Sequence, residues 1–95
     1  MQESIEFLKN HHDQLDTFTK AVAKVHGNHH PEVIEVRKIY QQIDQKLNGG
    51  VDNLDAEFDS LRKVTSNYEI PDDACEAFST VYQVLHQADT LRNKK

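Results

Sequence analysis

Apolar residues recur every three or four positions along most of this chain, which is the spacing of one face of an α-helix. In the N-terminal part, this spacing predicts one helix over residues 4–26. The residues on its inward face are Ile5, Leu8, His12, Leu15, Val22 and Val25. Gly27 follows directly, so the sequence predicts that the helix ends there.

Three further apolar stripes follow, separated by residues that begin or end helices. Pro31 suits the first turn of a second helix, because the missing N–H of proline costs nothing there, and Gly49-Gly50 ends it. Asp52 is the predicted N-cap of a third helix, and Pro71 opens a fourth. The predicted inward faces are Val33, Val36, Tyr40, Ile43 and Leu47, then Leu54, Phe58, Leu61, Thr65 and Tyr68, and finally Ala74, Phe78, Val81, Leu85 and Ala88.

Short connections between four such helices favour antiparallel neighbours. The sequence therefore predicts an all-α fold, an up-down-up-down antiparallel four-helix bundle, as a single domain over residues 1–95. One core layer is expected to contain Phe58, Leu61, Phe78 and Val81. Ile34 and Tyr82 fall off their stripes and would extend an apolar surface patch, which leaves homo-oligomerisation open.

Composition restricts the class of protein. No segment approaches the ~18 apolar residues of a membrane span, and the N terminus lacks the apolar core of a signal peptide, so we predict a cytoplasmic protein. The formal net charge is −5. Nucleic acids and anionic membranes select basic surfaces, so neither is an expected partner. The acids are concentrated in one segment: Asp52, Asp55, Glu57, Asp59, Glu69, Asp72, Asp73, Glu76 and Asp89. These acids would form a solvated surface or, in a functional role, a docking face for a basic protein.

Four segments carry an ordered set of motifs. A His11-His12 pair is followed by VHGNHHPE at 25–32, LDAEFD at 54–59 and SNYEIPDDAC at 66–75. Together they resemble the hemerythrin-like repair-of-iron-centres family over roughly residues 5–88. The resemblance implies a hemerythrin-like bundle and a role in repairing iron–sulfur clusters under nitrosative or oxidative stress.

Most of the iron ligands that the resemblance implies are missing. A di-iron site in a bundle needs about four imidazoles and two bridging carboxylates in one layer. The resemblance places a pair of ligands from the second helix near Gly50 and Leu54, and a histidine ligand from the third helix at the position of Phe58. The final pair lies beyond Leu91, so only His12 remains. We therefore predict that no family-type di-iron centre forms, and that the chain carries no cofactor.

Three histidines, His12, His26 and His30, remain candidate ligands for a single iron or zinc ion. His12 and His26 lie about 21 Å apart on a continuous helix, so they cannot share one ion. A separate cluster at the first corner consists of His26, His29, His30 and Glu32 or Glu35. In the alternative interpretation, His12 is a core histidine bonded to a neighbouring helix. His26 and His30 then cap helix ends, and His29 is solvated.

Nothing in the sequence resembles a catalytic constellation, so no enzyme is predicted. Cys75 is predicted to be a structural thiol, and His86 a surface residue. Two functions stay open. One is a metal-free binding or regulatory module whose protein partner could be a full-length repair protein. The other is a weak mononuclear iron or zinc protein that handles iron in cluster repair.

Overall fold

Five α-helices form the computed structural model, which describes residues 2–93. They are Gln2–Asn10 (α1), His12–His26 (α2), Glu32–Asn48 (α3), Asp55–Val64 (α4) and Glu76–Asn93 (α5). The described residues contain no strand, so the all-α prediction is confirmed. Helix α2 packs against α3 and α5, α3 packs against α4, and α1 packs against α5. None of the described helices is long and apolar enough to cross a membrane.

The predicted first helix is two helices in the structure. His11 lies between α1 and α2 with φ −104° and ψ 11°. Its Nδ1 lies 2.8 Å from the carbonyl oxygen of Phe7, the same oxygen that accepts the backbone N–H of His11. The carbonyl oxygen of Phe7 therefore has two partners on His11, at the residue where the two helices meet. Apolar spacing carries no sign of this local contact.

Gly27 ends α2 as predicted, and close packing requires glycine there. A Cβ atom at this position would lie 2.5 Å from the carbonyl oxygen of Ala23 and 3.0 Å from Cδ1 of Ile34. A larger residue would therefore displace the corner between α2 and α3. This corner brings the start of α3 back against the end of α2.

In the last turn of α2, the side chain of His26 lies against the core and that of Val25 does not. Val25 was predicted to lie on the inward face, but it is 69% exposed, so that prediction is wrong. Positions three and four residues after Val22 both lie near the same helical face. Packing decides between them, because the His26 ring contacts Phe78 edge-on with the ring centroids 5.3 Å apart.

Helix α3 matches its prediction to within one residue, but α4 begins later than predicted. Pro31 is the N-cap of α3 and Gly49 its C-cap. Asp52 is not the N-cap of α4, because Leu54 holds that position. The side-chain Oδ1 of Asn53 accepts the backbone N–H of Asp55 at 3.1 Å, so a different residue satisfies the helix start.

An unusual left-handed turn follows α4. Ser66, Asn67 and Tyr68 have φ values of 53°, 62° and 65°. This conformation is unfavourable for residues with a Cβ, so the surroundings must hold it in place. Tyr68 is buried, and its backbone N–H donates to Oγ1 of Thr65 at 2.8 Å. Residues 65–75 therefore form a longer connection than the sequence predicts.

Helix α5 begins at Glu76, so the prediction that Pro71 opens it is wrong. The backbone N–H of Ala74 donates to the carbonyl oxygen of Pro71, which closes a turn instead of a helix. Proline followed by aspartate is as typical of a turn as of a helix start, and the sequence alone does not separate the two. The Sγ of Cys75 accepts the N–H of Phe78 at the true start of the helix.

The core contains most of the predicted inward residues of the last three stripes, whereas Leu47 and Ala74 are only partly buried at its edge. Phe58, Leu61 and Phe78 are fully buried, and Val81 is 2% exposed. Tyr82 was predicted to extend a surface patch, but it is 1% exposed, so that prediction is wrong. The radius of gyration is 12.4 Å, which is close to the value of about 12 Å expected for a compact domain of this length.

Candidate functional site

His12 lies at the start of α2 and bonds to α3. Its Nδ1 is 3.0 Å from the hydroxyl oxygen of Tyr40 and 3.1 Å from Oδ1 of Asp44. The predicted bond to a neighbouring helix is therefore confirmed. The predicted core position is wrong, because the His12 side chain is 42% exposed. The break at His11 places this residue at a helix end.

The first corner brings His26 and His30 against the connection between α4 and α5. We call His26, His30, Asp73 and Cys75 the histidine corner. Nε2 of His26 lies 3.3 Å from Sγ of Cys75. Nε2 of His30 lies 2.9 and 3.0 Å from the two carboxylate oxygens of Asp73, and its Nδ1 lies 3.1 Å from Oε2 of Glu32.

The capping roles predicted for these two histidines are wrong. Pro31 is the N-cap of α3 and makes no side-chain capping bond, while the ring of His30 faces Asp73. The ring of His26 faces Cys75 and not the carbonyl groups at the end of α2. His30 and Asp73 are 43 residues apart in the sequence, and His26 and Cys75 are 49 residues apart. Only the fold brings them together. His29 is exposed, as the alternative interpretation predicts.

The charge state of His30 follows from its two partners. Ionised carboxylates only accept hydrogen bonds, so a histidine ring that faces one at each nitrogen donates to both only as the imidazolium. The hydrogen bond to Asp73 raises the pKa of His30, with a smaller contribution from Glu32. The same bond lowers the pKa of Asp73. A metal ligand must be the neutral ring, so this arrangement does not suit His30 to bind a metal ion.

No metal-binding cluster is assembled within residues 2–93. No group of three or more His, Cys, Asp or Glu side chains in this part of the chain could hold a metal ion. The histidine corner instead forms two separate pairs, His26 with Cys75 and His30 with Asp73. The rings of both histidines pack edge-on against Phe78, with centroid distances of 5.3 and 5.4 Å.

Phe58 occupies the position at which the resemblance implies an iron-ligating histidine. It is fully buried. The guanidinium carbon of Arg92 lies 4.8 Å from the centroid of its ring. Arg92 is itself held by ion pairs to Asp55 and Asp89. An aromatic ring and a fixed cation therefore fill this part of the core.

Asp89 is the centre of a buried polar network. Arg62 donates to it from Nε at 2.8 Å, and the Tyr68 hydroxyl donates at 2.9 Å. Burial raises the pKa of the Asp89 carboxyl, but these two hydrogen bonds and the positive charges of Arg62 and Arg92 together lower the pKa overall. Asp89 is 4% exposed, and Glu57, paired with Lys46, is 8% exposed. The prediction that these two acids belong to a docking face is therefore wrong.

Other acids of the predicted docking face are exposed. Four of them lie on or beside the connection between α4 and α5, and we call this set the acidic connection: Glu69, Asp72, Asp73 and Glu76. Asp73 pairs with His30 and is still 68% exposed. This group of carboxylates can attract a positively charged surface.

Comparison with models of protein families, with curated proteins and with solved structures finds no match to this chain. The resemblance to the repair-of-iron-centres family therefore stays a prediction that depends on the motifs in the sequence.

The sequence does not predict the four residues that contact the histidines, which are Tyr40, Asp44, Asp73 and Cys75. One signal for the first two was present, since Tyr40 and Asp44 are four residues apart on α3 and share a face. No local signal existed for Asp73 and Cys75, because their partners lie in a distant segment.

Proposed function

We propose that this chain is a hemerythrin-like, up-down-up-down four-helix bundle related to the repair-of-iron-centres proteins, and that it acts as a metal-free binding module. The main observation behind this proposal is the buried ring of Phe58 with Arg92 over it. The motifs at 25–32 and 66–75 support the relationship, and the presence of Gly50, Leu54 and Phe58 where the resemblance implies ligands supports the loss of the di-iron chemistry.

Electrostatics disfavours an iron ion at the Phe58 position. Two unit charges about 5 Å apart repel by about 3 kcal/mol at an effective dielectric constant of about 20, and an iron ion carries two or three charges. Arg92 cannot readily move away, because its side chain is 5% exposed and is held by Asp55 and Asp89. The residues at this position therefore fit an apolar core better than a metal site.

The activity of a metal-free module must come from contact with a partner. The acidic connection is the surface best suited to this role, because it presents several exposed carboxylates within eight residues of sequence, 69–76. The partner expected from this charge is a basic surface on another protein, and a full-length repair protein of the same process is the first candidate. Binding through exposed charges weakens as salt rises, since the Debye length is about 8 Å at physiological ionic strength.

A charge-neutralisation series tests this proposal. The test variant carries Glu69→Gln, Asp72→Asn and Glu76→Gln, which leaves Asp73 to pair with His30. The matched control carries Glu3→Gln, Glu6→Gln and Asp13→Asn, three exposed acids on α1 and α2. We expect the first set to weaken binding to a purified full-length repair protein about tenfold, and the control set to have little effect.

Two results would contradict the module proposal. One is equal loss of binding in both variants, which would show that net charge and not this surface is recognised. The other is activity without a partner. We expect the purified chain alone neither to reduce nitric oxide nor to restore a damaged iron–sulfur enzyme, and either activity would contradict the proposal.

The second candidate function is binding of a single metal ion. The pair of His26 and Cys75 favours it, because an imidazole nitrogen and a thiolate are both good ligands for Zn²⁺ and their atoms lie 3.3 Å apart. Metal content of untagged protein from iron- or zinc-supplemented cells tests this function. A His26→Ala plus His30→Ala variant and a His12→Ala variant would show which end of α2 holds the ion.

A further inference from the structure

A small cavity lies where the break between α1 and α2 meets the last turns of α3. Its volume is about 240 Å³. Leu8, Leu47 and the ring of Tyr40 supply apolar lining. Lys9, Asp44 and Asn48 add a cation, an anion and an amide. The break at His11 contributes to this cavity, because it separates the two helices that present Lys9 and His12.

The two opposite charges that line the cavity do not pair with each other. Within the described part of the chain, Asp44 forms an ion pair with His12, and none joins it to Lys9. Lys9 is exposed. A cavity whose lining carries one cation and one anion that do not pair with each other is complementary to a ligand that carries both charges.

His12 keeps the carboxylate of Asp44 in place. Its Nδ1 lies 3.1 Å from Asp44 and 3.0 Å from the Tyr40 hydroxyl oxygen, and this hydroxyl lies 3.4 Å from the carbonyl oxygen of His12. These contacts join the start of α2 to α3. Polar groups fixed in this way cost less to order when a ligand binds than groups on mobile side chains.

We propose that this cavity binds a small aliphatic α-amino acid. Its ammonium group would bind Asp44, its carboxylate would bind Lys9, and its side chain would lie against Leu8 and Leu47. Pockets for drug-sized ligands are about 300–1,000 Å³, so this smaller cavity fits a ligand of amino-acid size. The proposal is independent of partner binding at the acidic connection.

Leucine and two analogues that each lack one charge provide the test. Isoamylamine has no carboxylate, and 4-methylpentanoate has no ammonium group. Each is titrated into ¹⁵N-labelled full-length protein, and the amide shifts of residues 8–12 and 40–48 are followed. We expect saturable shifts in these two segments and binding of leucine about tenfold tighter than either analogue. Equal affinity for all three, or no saturable shift with leucine, would overturn the proposal.

Two substitutions assign the two charges. Lys9→Gln should remove the preference for leucine over isoamylamine, and Asp44→Asn should remove the preference over 4-methylpentanoate. Lys24→Gln and Asp52→Asn are matched controls at exposed positions that do not line the cavity. Lys9 is exposed, so its variant keeps the test valid even if Asp44→Asn disturbs folding. An unchanged preference in the folded Lys9→Gln variant would refute the assigned contact.

Discussion

Replacing Phe58 with alanine should remove a large part of the stability of this protein. Phe58 is fully buried in the core. Truncation of a buried phenylalanine to alanine costs about 3–5 kcal/mol through lost burial and the cavity left behind. Loss of the cation–π contact with Arg92, 4.8 Å from the ring centroid, adds about 0.5–2 kcal/mol. A domain of this length has a total stability of about 5–14 kcal/mol, so the variant would be close to unfolding.

Urea unfolding followed by far-ultraviolet circular dichroism measures this effect. Since 1 kcal/mol shifts the melting temperature of a domain of this size by about 4–8 °C, a loss of 3 kcal/mol lowers it by at least about 12 °C. Phe18→Ala is the matched control, because Phe18 is only partly buried at the edge of the core and should cost clearly less. An unchanged urea midpoint for Phe58→Ala would refute the reasoning that an apolar core has replaced the metal site.

Three further predictions concern His30 in the histidine corner, the buried polar network around Asp89, and the glycines that end α2 and α3. The pKa of His30 is raised in the folded protein, so its contribution to stability is complete below pH 6.5 and is lost as pH rises through the folded pKa; melting temperatures of the wild type and His30→Gln across pH 5–9 should therefore converge at high pH. Asp89→Asn should cost about 1–3 kcal/mol in urea unfolding, because Arg62 and Tyr68 lose a charged acceptor, and low pH should destabilise the wild type more than this variant. Gly27→Ala should lower the free energy of unfolding by about 1–3 kcal/mol, measured by thermal unfolding, because the added Cβ would lie 2.5 Å from a carbonyl oxygen. Gly49→Ala is the matched control and should cost little, because its Cβ would lie 3.5 Å from the nearest carbonyl oxygen.

Apolar periodicity predicts the helices of this chain well, because burial of a stripe dominates helix stability in a folded domain. The inward residues Phe58 and Leu85 illustrate this, since both were predicted and both are fully buried. Helix ends are predicted less well, because they depend on single polar contacts. A local hydrogen bond lies at the break at His11 and another lies before the start of α5 at Glu76, and neither leaves a periodic signal in the sequence.

The candidate sites are harder to predict, because they depend on long-range pairing. Asp89 looks like one more surface acid in the sequence, yet Arg62 and Tyr68 draw it into the core. A buried carboxylate is favourable only when such partners satisfy it. These partners lie 27 and 21 residues away, on α4 and in the turn that follows it, so only the folded structure reveals the role of Asp89.

The hydrogen bonds of His12, His26 and His30 indicate which of these histidines could bind a single metal ion. A histidine that donates one N–H to a carboxylate can still offer its other nitrogen to a metal ion, and many metal sites are built in this way. His12 has this arrangement, because its Nδ1 faces Asp44 and its Nε2 makes no hydrogen bond within residues 2–93. His30 does not, because each of its nitrogens faces a carboxylate. A mononuclear ion would therefore depend on His12 or on the pair of His26 and Cys75, and losing His30 should change stability more than metal content.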